Sequence, residues 1–183
     1  MKIEISNQNL KGHFNAREYC KENNINITEV TYLICNRNEL KSLDLTGLEN
    51  LEYLTCSDNE LKNLDLTGLK NLEEIYCWRN FLENLDVKGL KNLRELWCGC
   101  NELESLDLTG LKNLKKLDCG YNELESLNLK DLKKLEFLFC KFNELKNLNT
   151  KGLKNLKKLD CNNNELKSLN LAGLKNLKEI YFN

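Results

Sequence analysis

Proline is missing from this 183-residue chain, histidine and methionine occur once each, and the formal net charge is −1. Each scarcity removes a class of protein. Without proline no backbone N–H is lost, so every residue is free to donate into a long uninterrupted ladder. A balance of 27 basic and 28 acidic residues supplies no basic field to hold phosphate backbones or anionic lipid, so neither nucleic acid nor membrane is an expected partner. No apolar run approaches a membrane span, and the start, MKIEISNQNLKGHF, has no apolar core of a secretion signal. The expected location is the cytoplasm, or outside the cell by a route without a cleavable signal. A single histidine, no phosphate loop and no base–nucleophile pair argue against an enzyme, and no cofactor is expected.

Cysteine, by contrast, is abundant: nine residues, an odd number unaccompanied by a secretory signal, which points to a reducing compartment and not to a disulfide framework. Seven of them, Cys35, Cys56, Cys77, Cys98, Cys119, Cys140 and Cys161, lie 21 residues apart, and Phe182 stands where an eighth would fall. Asparagine follows each by three residues: Asn38, Asn59, Asn80, Asn101, Asn122, Asn143 and Asn164. The unit reads L-x-x-L-x-C-x-x-N-x-L-x-x-L-x-L-x-G-L-x-x, a period that predicts a solenoid whose coils cover one another's apolar sides.

Within a coil the L-x-C step has period two, so Leu54 and Cys56 point to one face of a strand while Tyr53, Thr55 and Ser57 point to the other. One short strand per coil follows. The recurrent asparagine is expected to bond through its amide to the backbone of its own coil and the next. Gly47, Gly68, Gly89, Gly110, Gly152 and Gly173 are expected at a positive-φ turn, with Asp131 taking that place once. A column of Asp44, Asp65, Asp86 and Asp107, continued by Asn128, Asn149 and Asn170, runs beside a lysine column, and this pairing predicts a solvated face and no metal ligand. At the start, Ile3, Ile5, Gln8 and Leu10 fit the first half of a coil and Ile27, Val30 and Leu33 the second. Between them NAREYCKENN (15–24) predicts a short helix with Asn15 as N-cap and Glu18 three residues on. Residues 1–34 are thus read as a capping coil and 35–183 as one continuous array of repeats. At the other end Leu177, Ile180 and Phe182 border an unpaired edge, which predicts self-association there or continuation in a longer protein.

The motif L-x-x-L-x-C-x-x-N-x-L, repeated over nearly the whole chain, resembles leucine-rich repeats, and cysteine in a leucine slot at a 21-residue period is similar to the cysteine-ladder subclass of internalin J and related bacterial repeat proteins. The resemblance implies a solenoid of α/β type, mostly β: a right-handed stack of about nine parallel strands with a short N-terminal capping helix. It also implies a non-enzymatic scaffold that recognises a protein or peptide.

Framework positions barely vary, so the informative residues are those three and one before the cysteine and one and two after it, which the period directs outward. Ten of the fourteen aromatic residues fall there. Tyr76, Trp78, Arg79, Trp97, Tyr121, Phe137, Phe139 and Phe142 form the candidate partner-binding set, because exposed aromatics with arginine nearby make a binding hot spot. Cross-strand stacking that only stabilises the sheet is the competing explanation. Gly99 and Gly120 are read either as opening a pocket or as turn residues. In LWCGC, Cys98 belongs to the inward ladder, whereas the bend before Asn101 is expected to turn Cys100 outward, so the two do not share a metal. Cys100, with Cys20, is expected to be the accessible thiol. A structural spacer joined through the C-terminal end is the alternative function, and a carbohydrate platform on the tryptophans a third.

Overall fold

A computed structural model describes residues 1–5 and 12–182. Gln8 and Leu10 lie outside them. The described residues form eleven strands of three residues each: β1 (Lys2–Glu4), β2 (His13–Asn15), β3 (Tyr32–Ile34), β4 (Ser42–Asp44), β5 (Tyr53–Thr55), β6 (Glu74–Tyr76), β7 (Glu95–Trp97), β8 (Lys116–Asp118), β9 (Phe137–Phe139), β10 (Lys158–Asp160) and β11 (Glu179–Tyr181). Nine form one parallel sheet in the order β1-β3-β5-β6-β7-β8-β9-β10-β11. Its register advances by 21 residues per strand from β3 onward (Leu33↔Leu54, Ile75↔Leu96, Leu117↔Leu138) and by 30 across the longer first coil (Ile3↔Leu33). β2 and β4 make a separate parallel pair beside the N-terminal helix, an element the periodicity did not show.

The first coil is longer because it carries helix α1 (Ala16–Glu22), capped by Asn15, whose side chain accepts from the Glu18 backbone N–H at 3.0 Å. One apolar cluster then runs from Ile3 to Leu174, and the seven ladder cysteines lie fully inside it. All nine cysteines are free thiols. For the seven in the ladder this follows from the geometry of the stack, since strands about 4.8 Å apart hold parallel, equally directed Cβ atoms beyond disulfide reach. Burial pushes the ladder thiols up, to about 12 for Cys35 and Cys77.

Each ladder asparagine ties two coils together. The Asn101 amide donates to the carbonyls of Cys77 and Cys98, both at 3.1 Å, and its oxygen accepts from the Leu82 N–H at 3.1 Å. The partners are its own coil and the one before, opposite in direction to the expectation. The six glycines do take φ between 83° and 98°, but Asp131 is not among the positive-φ residues. Its carboxylate instead accepts the Gly110 N–H of the preceding coil at 3.0 Å. The aspartate column is structural too: Asp44, Asp65, Asp86 and Asp107 each accept the backbone N–H two residues on at 2.8–3.0 Å, closing a turn before the glycine. Those bonds from Thr46, Thr67 and Thr109 hold the carboxyls of Asp44, Asp65 and Asp107 below the usual range.

Candidate binding surface

The outward side of the sheet holds a run of five rings that spans six coils. Tyr32 stacks on Tyr53 (centroids 5.4 Å apart), Tyr53 meets Tyr76 (5.5 Å), and Tyr76 lies 6.0 Å from Trp97 at an interplanar angle of 11°. Trp97 then reaches past the small Asp118 of the intervening strand to Phe139, two strands away, at 6.1 Å. Trp97 and Phe139 thus bracket Asp118, which accepts the Gly120 N–H at 3.0 Å; burial raises its carboxyl. Tyr76, Trp97, Phe137 and Phe139 are all half-buried.

Glu95 organises the centre of this run. Its carboxylate accepts from the Tyr76 hydroxyl at 3.0 Å and the Trp97 indole N–H at 3.2 Å, and pairs with the Lys116 ammonium at 2.8 Å. Burial works to raise this carboxyl, but the bonds from Lys116, Trp97 and Tyr76 outweigh it and hold Glu95 below the usual range. Burial, reinforced by the Glu95 and Glu74 carboxylates at 3.0 Å, pushes the Tyr76 phenol well up. These rings are therefore held in fixed orientations by polar partners, which lowers the entropy lost when a partner docks on them.

A second group sits on the bend that leaves the sheet. The residue two after each ladder cysteine adopts a left-handed backbone, with φ of 52–57° at Arg37, Asp58, Arg79, Cys100, Tyr121, Phe142 and Asn163. That conformation turns the following asparagine inward and the bend residue outward. Cys100 is accordingly half-exposed while Cys98 is buried, as expected; Cys20, expected to be accessible, is buried in the core on the inward face of α1. The Arg79 guanidinium lies 4.9 Å from the Trp78 ring centroid and 3.4 Å from Asp58, which also meets Arg37 at 3.4 Å. Tyr121 and Phe142 stack face to face at 4.4 Å and 11°. The eight candidate residues thus divide into a strand-face set (Tyr76, Trp97, Phe137, Phe139) and a bend set (Trp78, Arg79, Tyr121, Phe142).

Four outward assignments need correcting. Thr55 and Ser57 are buried, because the Asn36 side-chain oxygen of the preceding coil accepts from the Thr55 hydroxyl at 2.6 Å and the Ser57 N–H at 2.7 Å. Gly99 opens no pocket and makes no left-handed turn: a side chain there would meet the Asp118 carboxylate and the Gly120 carbonyl, each at 3.0 Å. Gly120 is likewise crowded by Lys141, whose carbonyl would lie 3.1 Å from an added Cβ. Both glycines allow close approach of the next coil. Among the described residues no group of acidic, histidine or cysteine side chains is arranged to hold a metal ion, and no helix is long and apolar enough to cross a membrane.

The model of leucine-rich repeats matches residues 49–90, 70–112 and 91–131. The functional domain of InlJ from Listeria monocytogenes, itself described as including a cysteine ladder, superposes with a TM-score of 0.76 at 26% identity over 99% of this chain and 48% of its own. This is a leucine-rich repeat protein of the cysteine-ladder type, resembling internalin J. Internalin C2 of the same organism gives a TM-score of 0.72 at 28% identity over 85% of this chain and 72% of that one. YopM from Yersinia enterocolitica gives 0.73 at 27% identity, covering 85% and 38%. The chain spans about half the length of the InlJ domain. No curated protein matches the sequence significantly.

Within these leucine-rich repeats two features escaped the sequence reading. Asn50, Asn71, Asn92, Asn113, Asn155 and Asn176 form a second asparagine ladder, each amide donating to a carbonyl 22 residues earlier at 2.8–3.2 Å. Where lysine replaces the asparagine, the Lys134 ammonium bonds the Asn113 side-chain oxygen at 2.7 Å. The 21-residue recurrence six positions before each cysteine was the available signal, masked by the polar variety around it. Phe81, 46% exposed, is the other: it stands where the remaining repeats carry glutamate.

Proposed function

We propose that this leucine-rich repeat protein is a non-enzymatic recognition scaffold that binds a protein or peptide through the outward aromatic side of its sheet and the adjoining bends, using Tyr76, Trp78, Arg79, Trp97, Tyr121, Phe137, Phe139 and Phe142. The observation that carries the reading is the continuous, half-exposed ring run from Tyr32 to Phe139, pre-oriented around Glu95 and lying outside a core that leucine and cysteine already fill. Large, rigid, amphipathic side chains of this kind dominate binding energy at interfaces. Fold-level likeness to internalins and YopM supports a scaffold role and names no ligand.

The test is affinity capture from the native cell with wild-type protein and with Trp78→Ala/Trp97→Ala, the captured protein then being purified and titrated directly. The double variant is expected to keep its far-ultraviolet dichroism and to lose at least tenfold in affinity; undiminished binding overturns the reading.

A second reading is assembly through the C-terminal end. Leu171, Ile180 and Phe182 are each about two-fifths exposed there, Leu177 is partly buried, and β11 pairs only with β10 among the described residues. Sedimentation is expected to show mass rising with concentration, with Phe182→Glu removing the rise. A concentration-independent monomer removes this second reading.

A further inference from the structure

The left-handed bend column holds residues that folding alone would not select. A left-handed backbone is disfavoured for side chains with a Cβ, and asparagine and aspartate tolerate it best. Asp58 and Asn163 occupy it in two coils, but Tyr121 (φ 56°) and Phe142 (φ 52°) occupy it in two adjacent ones. Bulky rings at this position work against local stability. They are also among the most open apolar residues of the chain, at 45% and 42% exposure, and the Tyr121 hydroxyl makes no hydrogen bond among the described residues. Their paired faces are spent on nothing internal except each other and the Lys141 ammonium, 5.4 Å from the Tyr121 ring centroid.

The charge beside them is uncompensated. Glu123 and Glu144 follow the two rings by two residues, across the inward-turned Asn122 and Asn143, and Glu102 and Glu165 extend the row by one coil on each side. All four glutamates are exposed, and none has an ion pair among the described residues. On the strand face, by contrast, Glu95 pairs with Lys116 and Glu179 with Lys158. Four coils span roughly 14 Å at a strand spacing of about 4.8 Å, the reach of about five extended residues.

We infer that this outer ledge, Tyr121 and Phe142 flanked by Glu102, Glu123, Glu144 and Glu165, docks a short extended peptide segment that alternates cationic and apolar side chains. The inference rests on the recognition reading above and names the chemistry of the partner. The apolar side chains lie on the stacked rings and the cations meet the carboxylate row, whose attraction for them falls with added salt. An ammonium over an aromatic face is a favourable contact, and Lys141 already makes one with Tyr121.

The experiment uses the full chain and two fluorescein-labelled heptapeptides, alternating leucine with lysine in one and leucine with glutamate in the other, read by fluorescence anisotropy at low and high salt. The lysine peptide is expected to bind, more weakly as salt rises, and the glutamate peptide to bind at least tenfold less well. Tyr121→Asn/Phe142→Asn is expected to weaken the lysine peptide tenfold or more while the unfolding midpoint stays level or rises, because asparagine suits the bend as Asn163 does. Glu123→Gln/Glu144→Gln is expected to weaken it several-fold and flatten its salt dependence. Equal binding of the two peptides, undiminished binding by the ring variant, or a midpoint several degrees lower in the ring variant overturns the ledge. If capture of the native partner falls in Trp78→Ala/Trp97→Ala but survives in the ring variant, the recognition reading stands and the ledge fails.

Discussion

Asn101→Ala is expected to cost about 2–4 kcal/mol of stability and to lower the unfolding midpoint by roughly 5–12 °C. The reason is an inventory of buried groups. Removing the amide strips the Leu82 N–H of its acceptor, and the carbonyls of Cys77 and Cys98 each lose one of two donors. Cys77 keeps the bond from Asn80, and Cys98 keeps the bond from Asn122, so those two losses are partial. The Leu82 N–H is left buried with nothing, and that group sets the lower bound. The companion substitution Asn92→Ala removes one bond, to the Lys70 carbonyl at 3.2 Å, from an exposed position. Its cost is expected to stay at about 0.5–1 kcal/mol. Chemical or thermal unfolding of the two variants side by side measures the difference; equal losses would show that both asparagine ladders act as surface trim.

Thiol labelling is expected to divide the nine cysteines one against eight. With an aromatic disulfide reagent near pH 8, Cys100 reacts within minutes in the native protein, and the rest wait for unfolding. Two physical effects separate them. The ladder sulfurs have no accessible surface, and burial raises their thiols, to about 12 at Cys35 and Cys77 and about 11 at Cys161, so about one in ten thousand is thiolate at pH 8 for the first two. Cys20 joins the protected group because it lies on the buried face of α1, and burial raises its thiol as well. Full reaction in denaturant, with all nine titrating, completes the count. Fast labelling of two or more thiols in the native state would mean that coils open independently, or that Cys100 is not alone at the surface.

The resemblance between coils explains why so much was legible before any coordinates. A 21-residue repeat places each framework position in the same surroundings seven times, so a pattern of period two around Leu54 and Cys56 settles the inward face for every coil at once. The N-cap of α1 was equally readable, since Asn15 and Glu18 act within one turn and need no distant partner. The outward positions were not, because their neighbours lie 21 or more residues away. Thr55 looked exposed until Asn36 covered it, and Gly99 looked open until Asp118 filled the space above it.

Sequence alone determined the stack, the direction of its leucine and cysteine side chains, and the asparagine column that joins one coil to another, because each of these is dictated by local periodicity repeated under one rule. Tertiary structure decided which outward side chains remain available. Whether Trp97 meets Asp118 or reaches over it to Phe139 depends on the size of a residue one coil away, and the left-handed bend that presents Tyr121 and Phe142 arises where the backbone turns to send the next asparagine inward. Side-chain reach across coils and backbone handedness at the bend are properties of the assembled solenoid, and they set the shape of the surface a partner meets.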